Sequence, residues 1–97
     1  MARPEKLDPQ TLERWLAAHP GWERVGDGGI ARRYTFSGYG DAVGFVVRLA
    51  MAAEKKDHHP DIELSWGKAR VLWTTHDTGG LSTFDLEMAE VTDRLAS

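Results

Sequence analysis

The chain contains no cysteine, which removes disulfides and thiolate metal sites from consideration and is neutral about compartment. No apolar run approaches the roughly 18 residues of a membrane span, and the opening "MARPEKLDPQ" lacks the apolar middle of a secretory signal. A cytoplasmic location is the expectation. Charge of one sign is not in excess either: 12 Lys and Arg stand against 15 Asp and Glu, for a formal net charge of -3. The basic residues are spread singly, so the electrostatic footprint that a phosphate backbone demands is missing and direct nucleic-acid binding is not expected. Also missing are a Gly-x-Ser-x-Gly nucleophile motif, a phosphate-cradling glycine loop and a dinucleotide fingerprint. The "GDGG" at 26–29 has the glycines but no helix after it.

What remains is an ordinary globular composition, 41% hydrophobic and 28% charged over 97 residues. Without internal repeat, linker or low-complexity tract, residues 1–97 read as one domain, with 1–7 as a flexible lead-in. A chain this short buries only roughly 60–65% of the surface its unfolded form exposes, and a core that small favours self-association.

Periodicity divides the chain into five blocks. Asp8 is a natural N-cap and Pro9 suits the first helical position, while Leu12, Trp15 and Leu16 share a face, predicting a helix over Pro9–Ala18. Trp22–Val25 and Ile30–Phe36 flank the glycine turn as a hairpin. Asp41 is placed to cap a second helix over about Ala42–Asp57, whose stripe is Ala42, Phe45, Val46, Leu49, Ala50 and Ala53. Pro60 disfavours helical geometry at His59, so the helix ends there or just before. A second hairpin follows, in which Ile62, Leu64 and Trp66 share one face, and Ala69, Val71, Trp73 and Thr75 alternate with Arg70, Leu72, Thr74 and His76. His76 is then the last residue of its strand. Ser82 caps a third helix with Asp85 at its third position. The order α-β-β-α-β-β-α predicts an α+β fold, a four-stranded antiparallel sheet with three helices on one face. At least one bare edge strand is expected, open to pairing with another subunit.

The chemistry-bearing residues cluster late. Three histidines with water is a zinc pattern, but adjacent His58 and His59 at a helix exit point apart, and no His-Glu-x-x-His spacing is present, so no metal is assigned. His19 reads as a donor to the free carbonyls ending helix one. His58 has the same helix-terminal reading, and His59 reads equally as a turn residue. Against those readings, His76 ends a strand that can converge with the helix exit on one cleft, and a convergent trio of histidines is suited to moving protons near neutral pH. Glu54 lies four residues before His58, where its carboxylate can orient that ring or simply be solvated. Asp85 is explained by its capping position alone. Trp22, Trp66 and Trp73 read as core or sheet-face aromatics, with stacking on a flat ring as the alternative at a cleft rim.

Glu54, "HHP" at 58–60, Trp66, "THDTGGLS" at 75–82 with its His76, and Asp85 together resemble the signature of the pterin-4a-carbinolamine dehydratases. Trp22 and the Phe36, Tyr39, Ala42 and Phe45 set agree, so the likeness runs from about Leu12 to Leu95. Gly38 departs from it, where many relatives carry an acidic residue. The resemblance implies a dimer or tetramer built partly through the sheet. It implies dehydration of 4a-hydroxytetrahydropterin to quinonoid dihydropterin and water in tetrahydrobiopterin recycling, with an aromatic amino-acid hydroxylase as a protein partner. His58 and His76 take the acid and base roles in unassigned order, and His59 binds and polarises the pterin. Glu54, Asp85 and Trp22 contact the substrate or support the histidines. No cofactor is implied. The family offers a second reading, a non-catalytic module that binds a transcription factor or assists assembly of another enzyme.

Overall fold

The computed structural model describes residues 3–97. Its elements are α1 (Pro9–Ala18), β1 (Glu23–Val25), β2 (Gly29–Thr35), α2 (Tyr39–Lys56), β3 (Asp61–Ser65), β4 (Lys68–Thr74) and α3 (Thr83–Ala96). The four strands make one antiparallel sheet in the order β1-β2-β4-β3, so the α+β fold with its helices on one face is as expected.

Alternation along the two inner strands decides which face the helices cover. Ile30 pairs with Trp73, Arg32 with Val71 and Tyr34 with Ala69, and Ile30, Tyr34, Ala69, Val71 and Trp73 are buried against Leu12 of α1, Phe45, Leu49 and Ala53 of α2, and Met88 and Ala89 of α3. Burying a side chain such as Phe45 or Leu49 contributes about 1.5–3 kcal/mol. The opposite face carries Arg33, Lys68, Arg70 and Glu63 beside Ala31 and Leu72 and is mostly polar, the usual division for an antiparallel sheet.

α1 starts as its sequence dictates. Asp8 Oδ1 accepts from Thr11 N–H at 2.8 Å and Oδ2 from the Thr11 hydroxyl at 2.9 Å, and these bonds hold the Asp8 carboxyl below its ordinary range. His19 closes the helix with Nδ1 2.8 Å from Trp15 O, its ring stacked on the Trp15 indole. Where a flexible lead-in over 1–7 was expected, residues 1 and 2 lie outside the described residues. Glu5 to Leu7 run against the start of α3, with Leu7 N–H donating to Leu81 O at 3.0 Å and Thr83 N–H to Glu5 O at 2.9 Å.

Besides one-residue shifts at the ends of β1 and β2, three boundaries differ from the sequence reading. α2 begins at Tyr39, not Ala42, with extended Gly38 as N-cap, and Asp41 sits inside the first turn, accepting from the Ser37 hydroxyl at 2.9 Å. An acidic residue serves a helix start from within the first turn as well as from the cap, which is why Asp41 misled the boundary. The helix also stops at Lys56, before Pro60 can act. Asp57 turns left-handed at φ 57°, its N–H donates to Glu54 O and His58 N–H reaches back to Ala53 O, a Schellman-type close. Finally β4 ends at Thr74, so His76 lies in the following turn, which Gly79 N–H closes by donating to His76 O at 3.1 Å.

Candidate active site

The left-handed turn at Asp57 throws His58 and His59 off the helix in different directions. His58 turns inward, its side chain 13% exposed, and its ring lies nearly parallel to Trp73, 5.4 Å between centroids, with Phe84 edge-on at 5.9 Å. Aromatic neighbours on a face and an edge fix the plane of the imidazole. His58 Nε2 is 2.7 Å from Asp85 Oδ1. His59 turns outward, with Nε2 2.7 Å from Glu54 Oε1 in an exposed pair.

This overturns the pairing read from spacing. Glu54 and His58 would share a face if the helix continued, but Asp57 breaks it, and Glu54 meets His59 instead. Asp85 proves to be more than a helix cap. It accepts from Ser82 N–H at 2.9 Å and from the Thr75 hydroxyl at 2.6 Å, both on Oδ2, while Oδ1 faces His58. Asp85 is fully buried, so it bears on the cleft only through the lining groups it bonds, His58 and Thr75.

A cavity of about 290 Å³ is lined by Asp57, His58, His59, Asp61, Thr74, Thr75, His76 and Asp77. The structure therefore brings the three sequence-chosen histidines to one cleft, formed by the exit of α2, the start of β3 and the turn after β4. Trp22 is not part of it: it is buried at the other end of the sheet, with its indole N–H donating to Asp93 Oδ2 at 3.1 Å. Trp66 sits in the tight turn at the far end of the β3–β4 hairpin, 71% exposed. A larger hollow of about 390 Å³ lies against Tyr34, Glu63, Lys68 and Arg70, but it holds no histidine, so the chemistry selects the smaller cleft.

Sequence reasoning missed Thr75 as a functional residue, along with the three aspartates of the cleft. Thr75 carried a signal: it stands two residues after Trp73 on the inward side of the alternation, where a buried hydroxyl must find a partner. Asp57, Asp61 and Asp77 carried none. No group of His, Asp and Glu among the described residues has a metal-holding arrangement.

Imidazoles, carboxylates and threonine side chains are what this cleft offers. His58, held by Asp85, Trp73 and Phe84, and His76, in the turn after β4, bring two imidazoles to this cleft, and general acid-base catalysis requires groups that can exchange protons near neutral pH.

The sequence model described as pterin 4 alpha carbinolamine dehydratase matches residues 5–95. A protein of Thermosynechococcus vestitus, provisionally named a pterin-4-alpha-carbinolamine dehydratase, is 41% identical over 92 residues, covering 95% of this chain and 96% of its own. A protein of Azoarcus with the same provisional name is 44% identical over 91 residues, covering 93% of this chain and 78% of its own. Among solved structures, the transcriptional coactivator/pterin dehydratase from Brucella melitensis superposes with a TM-score of 0.89 at 31% identity, over 96% of this chain and 100% of that one. A pterin dehydratase-like protein identified as a RuBisCO assembly factor in the alpha-carboxysome shares the fold, with a TM-score of 0.69 at 22% identity over 79% of this chain and 90% of its own.

Proposed function

The chain belongs to the pterin 4 alpha carbinolamine dehydratase family, and from that premise we propose that it dehydrates 4a-hydroxytetrahydropterin to quinonoid dihydropterin and water. The observation that carries the reading is the convergence of His58, His59 and His76 on one cleft. Expelling the 4a-hydroxyl breaks a C–O bond, and the oxygen must receive a proton to leave as water. The electron pair of a ring N–H bond closes the new C=N bond as that proton departs. One histidine gives the first proton and another takes the second, so the chain's own groups balance the reaction.

His58 and His76 fill these two roles, and His59, the outward ring, binds and polarises the pterin. Glu54 supports His59 and Asp85 supports His58, while Trp22 serves the core. The reaction belongs to tetrahydrobiopterin recycling in the cytoplasm, downstream of an aromatic amino-acid hydroxylase. No helix of the described residues is long and apolar enough to cross a membrane. We extend the proposal to a homodimer or homotetramer: β3 has no strand on its outer side among the described residues, and Leu64 and Trp66 of its hairpin are exposed.

A second reading is an interaction module on the same fold, favoured by Val47 and Met51, which are 54% and 70% exposed on α2. Titration with an oxidised pterin, followed by histidine NMR, separates the two. Dehydration predicts shifts of the His58, His59 and His76 signals; no change at millimolar pterin favours the module.

A further inference from the structure

Thr75 owns a single hydroxyl hydrogen, and three polar atoms compete for its oxygen. Asp85 Oδ2 is 2.6 Å away, Ser82 Oγ 2.7 Å and His58 Nε2 3.5 Å. A carboxylate only accepts, so the Thr75 hydrogen goes to Asp85. Towards Ser82, Thr75 can then only accept, and the Ser82 hydroxyl must donate. The chain runs in one direction, from Ser82 to Thr75 to Asp85.

His58 Nε2 consequently faces two acceptors and no donor: Asp85 Oδ1 at 2.7 Å, and a Thr75 oxygen whose hydrogen is committed elsewhere. Nε2 must carry a hydrogen. Among the described residues no buried side-chain nitrogen or oxygen lacks a partner, and His58 Nδ1 has none, so Nδ1 reaches the surface of the cleft. We propose that Thr75 and Ser82 are positioning residues that fix His58 as its Nε2–H tautomer and leave Nδ1 as the nitrogen that exchanges protons with the substrate. The inference rests on the dehydratase reading for its substrate but not for its geometry.

The ring's surroundings suit this role. Trp73 and Phe84 hold its plane, and the partner set on Nε2 decides which of its two nitrogens carries the hydrogen. The other titratable and charged groups of the cleft, Asp57, His59, Asp61, His76 and Asp77, form no hydrogen bond with the His58 ring.

The test uses the ligand-free protein with nitrogen-15-labelled histidine, in mildly alkaline solution where the rings are neutral. The wild type should show His58 as the Nε2–H form. Thr75→Val, which keeps the shape and removes the hydroxyl, should mix in the Nδ1–H form and lower kcat roughly tenfold or more, a part of the about 10² to 10⁴ that an acid-base group contributes. KM should change little, and Thr75→Ser should restore both tautomer and rate. His58 as Nδ1–H in the wild type would overturn the proposal, as would a Thr75→Val protein with unaltered tautomer and turnover. A wild-type spectrum in the Nδ1–H form overturns the proposal even if Thr75→Val does not fold. A wild type that holds the Nε2–H form yet fails to dehydrate the pterin keeps the device and sinks the function; active protein in the Nδ1–H form does the reverse.

Discussion

Helix α3 holds two aspartates two turns apart, Asp85 and Asp93, and each gathers three partners. Asp85 accepts from Ser82 N–H and the Thr75 hydroxyl and lies against His58 Nε2. Asp93 accepts from the Trp22 indole N–H at 3.1 Å, from Arg32 at 3.1 Å and from the Tyr34 hydroxyl. By count of partners they are alike, but they do different work. The partners of Asp93 are a core indole, a permanently charged guanidinium and a phenol, none of which exchanges protons near neutral pH. Among the partners of Asp85 is an imidazole whose second nitrogen reaches a cleft. A well-bonded carboxylate is therefore not a site in itself; it becomes part of one when it holds a titratable ring with a free side.

Substituting each carboxylate by its amide should separate these roles most strongly. Asp85→Asn places an N–H donor among groups that need an acceptor, and turnover should fall about 10²- to 10⁴-fold. Asp93→Asn should cost about 1.5–3 kcal/mol of stability, the range for hydrogen bonds to charged groups, with kcat of the folded protein unchanged. Denaturant midpoints and kcat on both variants check this, and an equally deep loss of turnover in folded Asp93→Asn would erase the contrast.

Tyr34→Phe sharpens the structural end. It removes one donor from Asp93 and should destabilise by about 1.5–3 kcal/mol. Burial first, and then the Asp93 carboxylate, raise the Tyr34 phenol well above its ordinary range. A raised folded-state value contributes stability that is intact below the unfolded phenol's titration, at about pH 10, and is lost as pH rises beyond it. Urea midpoints of the wild type should therefore fall above about pH 10, and those of Tyr34→Phe should fall less steeply over the same window.

At the cleft end, Asp57→Val should cost about 1–2 kcal/mol, since a β-branched residue resists the left-handed conformation that Asp tolerates. The same change should lower turnover, because the turn aims both histidines; a thermal melt with a parallel rate measurement tests the coupling. The smallest effect is expected from Glu54→Gln. Its pair with His59 is exposed, 79% and 56% for the two side chains, and such pairs contribute under about 1 kcal/mol. Equilibrium unfolding should barely register it, while any loss should appear in pterin affinity.

The physical character of each feature decided how far it could be read from sequence. α1 was legible at both ends because Asp8, Pro9 and the Leu12–Trp15–Leu16 stripe are local signals. The order of elements and the four-stranded antiparallel sheet followed from periodicity, and the grouping of the histidines from periodicity and the family resemblance together, whereas the strand order β1-β2-β4-β3 was not read. The Glu54–His58 pairing failed because four-residue spacing assumes an unbroken helix, and a left-handed aspartate is not marked in sequence as a glycine would be. His76 was placed one element too early because alternation alone does not reveal that pairing with β2 stops at Thr74. The Ser82, Thr75 and Asp85 hydroxyl chain depends on a strand end and a helix start meeting in space, and no local pattern encodes that meeting.

The central claim is most directly tested by the rate at which purified protein dehydrates carbinolamine generated in situ, with the uncatalysed reaction subtracted, beside His58→Ala and His76→Ala. The account predicts turnover well above background for the wild type and a loss of about 10²- to 10⁴-fold in each variant with the fold retained. Wild-type rates in both variants, or no rate above background in the wild type, would contradict it.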